Sequence, residues 1–150
     1  MNITGADHTS FSVSNLERSL DFYINLLGFK LLWQREISNP YFRDIVGIPD
    51  CVVKAAHLAI PNSTHKLELF EYAAPRGEPA VPRVNQPGSA HLSLYVDDLP
   101  AAYEALKAKG AQFRSPPIEI DAGANKGGWA LYMLDPDGIP VELFQPPVRS

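Results

Sequence analysis

At 150 residues, 45% of them apolar, the chain is long enough for one domain with a real core or for two small fused halves. A net charge of −4 with scattered Lys and Arg gives no basic footprint for nucleic acid, and no apolar run approaches the roughly 18 residues that cross a membrane. One cysteine, Cys51, excludes an internal disulfide, and MNITGADHTS lacks a basic-then-apolar leader, so a cytoplasmic location is expected.

In chain order, a strand is expected over 6–13 and an amphipathic helix over 15–27, with Ser14 near its N-cap and Gly28 closing it. Leu16, Leu20, Tyr23 and Leu27 share that helix's apolar face. Strands follow over 29–37, 52–60 and 65–72, the last two joined by the turn PNST. An apolar insertion, SNPYFRDIVGIP, precedes the third strand and reads as a short helix that caps a site or meets a second copy. The same grammar then repeats: a strand over 89–96, a helix over 98–109 begun near Asp97 and closed by Gly110, and strands over 111–120, 128–134 and 139–145, with DPDG as a turn. Val13 matches Val96, Leu16 matches Leu99, and Glu-Leu-Phe closes both halves at 68–70 and 142–144. The reading is one α+β domain over 1–150. It is built from two tandem βαβββ modules, about 5–75 and 88–147, joined by a Pro-rich linker over 76–87. The two would form an open curved sheet, a half-barrel, with the helices on its outer face.

Strand alternation assigns the polar residues to faces. His8, Ser10 and Ser12 share one face of the first strand, and His91, Ser93 and Tyr95 share one face of its counterpart. Glu68 and Phe70 alternate against Leu67 and Leu69, as Glu142 and Phe144 do against Val141 and Leu143. With Leu and Val in the core, both glutamates join the histidine side. A buried unpaired carboxylate is costly, so a partner or a role is required. Two imidazoles and two carboxylates, His8, Glu68, His91 and Glu142, suit one divalent ion, and ligand type does not separate Ni, Co, Zn, Mn and Fe. Such an ion would supply Lewis-acid chemistry.

At these residues the sequence resembles the vicinal oxygen chelate superfamily, the glyoxalase/bleomycin-resistance/extradiol-dioxygenase group. The resemblance rests on HTSFSVSNLERSLDFYINLLGF, KLELFEY, SAHLSLYVDDLPAAYEALKAKG and LDPDGIPVELFQ, almost the whole chain. It implies paired βαβββ modules, a metal site, a small-molecule substrate that chelates through vicinal oxygens, and a homodimer. Glyoxalase I, a lactoylglutathione lyase, is similar in ligand set. By that resemblance a closing-strand glutamate, Glu142 or Glu68, doubles as the base that moves a proton through an enediolate. Two positions depart from it: Ser12 stands where that family has an Arg, and Tyr72 where it has an Asn. Both family residues hold glutathione.

Methylmalonyl-CoA epimerase is similar in ligands and needs a second acid/base group, here Asp50 or His57. Extradiol dioxygenases resemble a subset, His8, His91 and Glu142, as an iron triad. A non-enzymatic drug-binding protein of the bleomycin-resistance type is the remaining alternative. For substrate contacts the residues singled out are Lys126, in the glycine-rich loop ANKGG, with Trp129, Phe70, Tyr72 and His57. Trp33, Tyr41, Phe42 and Phe144 are further aromatics, and Arg35, Arg43, Arg76 and Arg149 further cations. Cys51 reads as a small half-buried thiol rather than a nucleophile.

Overall fold

Strand periodicity and turn chemistry produce two sheets in the computed structural model, which describes residues 1–78 and 83–148. The chain divides into two compact units, Met1–Ala80 and Val81–Ser150. Among the described residues no helix is long and apolar enough to cross a membrane.

In the first unit the strands are β1 (His8–Ser12), β2 (Lys30–Ile37), β3 (Val52–Ala59) and β4 (Lys66–Ala74). They lie in the order β1-β4-β3-β2, with β1 parallel to β4 and the other pairs antiparallel. Leu67 and Leu69 are fully buried on the face that α1 (Leu16–Leu20) covers. Helix α1 starts one residue later than expected. Its N-cap is Asn15, whose side chain accepts from the Arg18 N–H at 2.9 Å. The 15–27 segment is not one α-helix. After Leu20 it widens into a π-helical turn, Asp21–Leu26, in which the Leu27 N–H reaches back to the Phe22 carbonyl. The wider turn rotates the apolar face, so Phe22 and Tyr23 are buried and Leu27 is left half-buried. Gly28, at φ 77°, then ends the helix in a conformation that disfavours a side chain.

The insertion forms α2 (Pro40–Val46), closed by Gly47. It packs on the opposite face of the sheet from α1. There Ile37, Phe42, Cys51, Val53 and Ala55 form a second small core, bordered by Trp33, Phe70 and Tyr72. Cys51 is fully buried within it.

In the second unit β5 (Leu92–Tyr95), β9 (Pro140–Gln145), β8 (Trp129–Leu134) and β6 (Gln112–Phe113) lie in that order. Helix α3 (Leu99–Ala108) packs on β9, with Asp98 rather than Asp97 as its N-cap. The strand expected over 111–120 is broken in two. β6 and β7 (Ile118–Glu119) each pair with β8 and flank Ser115-Pro116-Pro117, whose prolines have no N–H to give a ladder.

Each closing strand also holds the start of its helix. The buried Glu71 carboxylate accepts from the Leu16 N–H at 2.8 Å, and the Gln145 amide oxygen accepts from the Leu99 N–H at 2.7 Å. Three residues after its Glu, each Glu-Leu-Phe strand thus supplies an acceptor to the first turn of the helix packed on it.

Candidate functional site

In the first unit the parallel register places Ser10 opposite Glu68, and the antiparallel register places His57 opposite Glu68 and Trp33 opposite His57. His8, His57 and Glu68 therefore meet on the face away from α1. His57 Nε2 lies 2.6 Å from Glu68 Oε2, with both residues buried. An ionised carboxylate only accepts, so the imidazole N–H donates. His8 Nε2 faces the other oxygen, Glu68 Oε1, at 3.5 Å. Its Nδ1 is 2.8 Å from Asp7 Oδ2 and donates to that carboxylate. Asp7 in turn takes the Lys66 ammonium. That hydrogen bond from Lys66, followed by the one from His8, lowers the Asp7 carboxyl to about 2. Asp7 thus stays ionised and orients the His8 ring through its Nδ1–H.

The second unit repeats the arrangement. Glu142 is opposite Ser93 on one side and Tyr132 on the other. His91 lies just before β5, and its Nε2 is 3.0 Å from Glu142 Oε2. Tyr132 stands edge-on to the His91 ring at 5.1 Å, and the His8 and His57 rings lie 5.2 Å apart at 51°. Burial, and then the charge of Glu142, raise the Tyr132 phenol above its ordinary value. The two glutamates differ in access: the Glu142 side chain is 24% exposed and that of Glu68 is 11%.

Among the described residues, no group of three or more His, Cys, Asp or Glu side chains is gathered for a metal ion. Each unit places one imidazole nitrogen near one carboxylate oxygen. Two atoms bound about 2.1 Å from one ion lie roughly 3.0–3.4 Å apart at octahedral or tetrahedral angles. The His8–Glu68 and His91–Glu142 separations, 3.5 and 3.0 Å, bracket that range. A carboxylate behind His8 Nδ1 is also how ligating imidazoles are oriented. The donor chemistry fits a divalent ion.

In the first unit Trp33, Phe70 and Tyr72 border one small core. Trp33 stacks on His57 at 4.3 Å and 22°, and its ring also carries the Arg35 guanidinium at 4.5 Å. Phe70 meets Phe42 edge-on at 5.5 Å and Tyr72 at 6.3 Å. Burial, then the charges of Cys51 and Glu68, push the Tyr72 phenol up. In the second unit Lys126 is exposed in the 121–128 loop, Trp129 opens β8, and Phe144 lies 5.8 Å from Tyr95. Ser12 and Tyr41 are exposed. Asp50 is a turn residue at φ 59°, with a 95% exposed side chain near Arg43. Arg76 lies 3.7 Å from Glu71. Arg149 falls outside the described residues. Sequence reasoning missed Asp7 and Tyr132. The signal for Tyr132 was the DPDG turn, which sets it opposite Glu142 once the loop length is fixed.

The family model of the Glyoxalase/Bleomycin resistance protein/Dioxygenase superfamily matches residues 5–143. The chain belongs to this superfamily. It is 30% identical over 147 residues to a 2-epi-5-epi-valiolone epimerase from an Actinomyces species, covering 95% of this chain and 80% of that protein. It is 31% identical over 143 residues to a lactoylglutathione lyase of Neisseria meningitidis, covering 92% and 88%. Among solved structures, a glyoxalase family protein from Bacillus cereus matches with a TM-score of 0.84 at 18% identity, covering 99% and 97% of the two chains. A glyoxylase/bleomycin resistance protein/dioxygenase domain from a Frankia species matches at 0.70 and 26%, covering 97% and 93%. The likeness to the Bacillus protein supports the superfamily's fold, and the two curated relatives are a lyase and an epimerase.

Proposed function

We propose that this chain is a divalent-metal-dependent enzyme that moves a proton at a carbon next to a carbonyl. One observation carries the reading. Each unit pairs an imidazole with a glutamate at matching repeat positions, His8 with Glu68 and His91 with Glu142. The pairs lie on matching strands and faces, which supports a shared ligand role.

In this reading His8, Glu68, His91 and Glu142 hold one ion of Ni, Co, Zn, Mn or Fe, and modules 5–75 and 88–147 act as one domain. The ion supplies Lewis-acid polarisation of the substrate's vicinal oxygens when bound. Glu142, the more open carboxylate, takes the proton from carbon and returns it to the neighbouring carbon, while Glu68 stays in place. Trp33, Phe70 and Tyr72 exclude water on the Glu68 side. Lys126 and Trp129 contact the substrate from their loop and strand. The protein is a cytoplasmic homodimer, which light scattering of the purified protein checks.

A lactoylglutathione lyase-type reaction comes first. It is tested by turnover of the methylglyoxal–glutathione hemithioacetal after reconstitution with each metal. No turnover with any of the five removes it. Epimerisation beside a ketone is the second reading. It is favoured by Ser12 and Tyr72, which give no guanidinium or amide at the two positions where glyoxalase I holds glutathione. Deuterium washing into a cyclic hydroxyketone from D₂O, without hemithioacetal turnover, selects it. A purified protein that binds none of the metals overturns both.

A further inference from the structure

We infer that His57 is a positioning residue for Glu68: it holds Oε2 by its N–H and so commits Oε1 alone to ligation. The inference rests on the metal reading above and goes beyond it, because His57 was expected to touch substrate or to act as an acid or base. Three observations carry it. The His57–Glu68 bond is short, at 2.6 Å, and it is buried. The imidazole is fixed on two sides, by the Trp33 ring at 4.3 Å and 22° and by the His8 ring at 5.2 Å and 51°. The two oxygens of Glu68 have different neighbours. Oε2 takes the His57 N–H, whereas Oε1 faces His8 Nε2 at 3.5 Å, too long for a good hydrogen bond.

In the neutral form of His8 whose Nδ1–H is held by Asp7, Nε2 presents a lone pair toward Glu68 Oε1, and both atoms are then open to a cation. Were Oε2 free, Glu68 could rotate and chelate with both oxygens or turn away from His8. The His57 N–H removes both options. Partners one shell out from a metal typically change its affinity by about 10–100-fold when removed.

The test compares His57→Phe with His57→Gln. Phe keeps a ring beneath Trp33 and loses the N–H, whereas Gln keeps an N–H near the Nε2 position and loses the ring. Zn²⁺ binding is measured by titration calorimetry on the full chain. Zn²⁺ affinity is expected to fall at least about 10-fold in His57→Phe and to stay within about threefold of wild type in His57→Gln. Equal affinity in His57→Phe and wild type overturns the inference, and so does an equal loss in both variants, which would assign the effect to ring packing. A second measurement needs no variant. The hydrogen-bonded imidazole N–H resonance of His57 in the wild-type protein is expected to persist when Zn²⁺ is added, and its disappearance overturns the inference. Wild type that binds no Zn²⁺ or other divalent metal overturns the metal reading itself. Binding with an unaffected His57→Phe variant overturns only the role of His57.

Discussion

Glu71 shows how much one residue of a repeated motif can hold. Burial alone would raise its carboxyl, but the Leu16 N–H, the Lys54 ammonium at 3.3 Å and the Arg76 charge outweigh burial and leave it lowered from 4.5. The folded form therefore binds its proton at lower pH than the unfolded chain. Its contribution is present above the unfolded value of about 4.5 and is lost as pH falls through the folded value. Glu71→Gln is expected to flatten the fall in stability below pH 4.5 while keeping an acceptor for Leu16, as read by urea unfolding across the acid range. Glu71→Ala strands the Leu16 N–H and should cost about 1–3 kcal/mol at pH 7. Gln145 makes the equivalent bond without charge, so Gln145→Ala should cost about 1 kcal/mol with no such pH dependence. The glutamate faces were legible in the sequence because alternation around Leu67 and Leu69 leaves Glu68 one side only. The role of Glu71 was not legible, because its partner is a backbone N–H fifty-five residues earlier in the chain.

At the scale of elements, propensity identified most strands and failed where backbone hydrogen bonding changed type. The 15–27 segment reads as an amphipathic α-helix because Leu16, Leu20, Tyr23 and Leu27 fit a 3.6-residue period. The π-helical turn breaks that period, and nothing local announces it. The strand at 111–120 was overextended because its apolar residues span two prolines whose missing N–H groups end the ladder. His57 and Tyr132 became neighbours of the glutamates only through hairpin register, which loop length sets and composition does not. The loop before β8 has a firmer constraint. A Cβ on Gly128 would lie 2.7 Å from the Gln145 carbonyl oxygen and 3.1 Å from the Asn125 carbonyl oxygen, both backbone atoms that cannot swing aside. Gly128→Ala is expected to cost about 1–3 kcal/mol and to loosen the loop that carries Lys126. Hydrogen exchange should show it as lost protection of the Ile120 N–H, which donates to the Gly128 carbonyl. Gly123→Ala tests strain instead: its φ is 76° with open space around the position, so the cost should be smaller.

For the whole molecule, the duplicated chain carries one imidazole–carboxylate pair in each unit. If one ion takes ligands from His8 and Glu68 and from His91 and Glu142, neither unit binds it well alone, and binding stabilises the folded chain by mass action. At a hundredfold excess of metal over its dissociation constant the gain is about 2.7 kcal/mol. In a chain of this length each kcal/mol moves the melting temperature by about 2–4 °C, so adding metal to chelator-treated protein should raise it by roughly 5–10 °C. Glu68→Ala and Glu142→Ala, in opposite units, should each abolish most of that rise. The metal-free proteins should separate the two positions. Glu68→Ala should melt lower, because it strands the buried His57 N–H, whereas Glu142→Ala, at a more open position, should melt close to wild type. A full metal-induced rise that survives in either variant would show that its glutamate is not a ligand. A rise lost in Glu68→Ala and kept in Glu142→Ala would confine the ion to the first unit, where His8 Nε2 and Glu68 Oε1 already face each other.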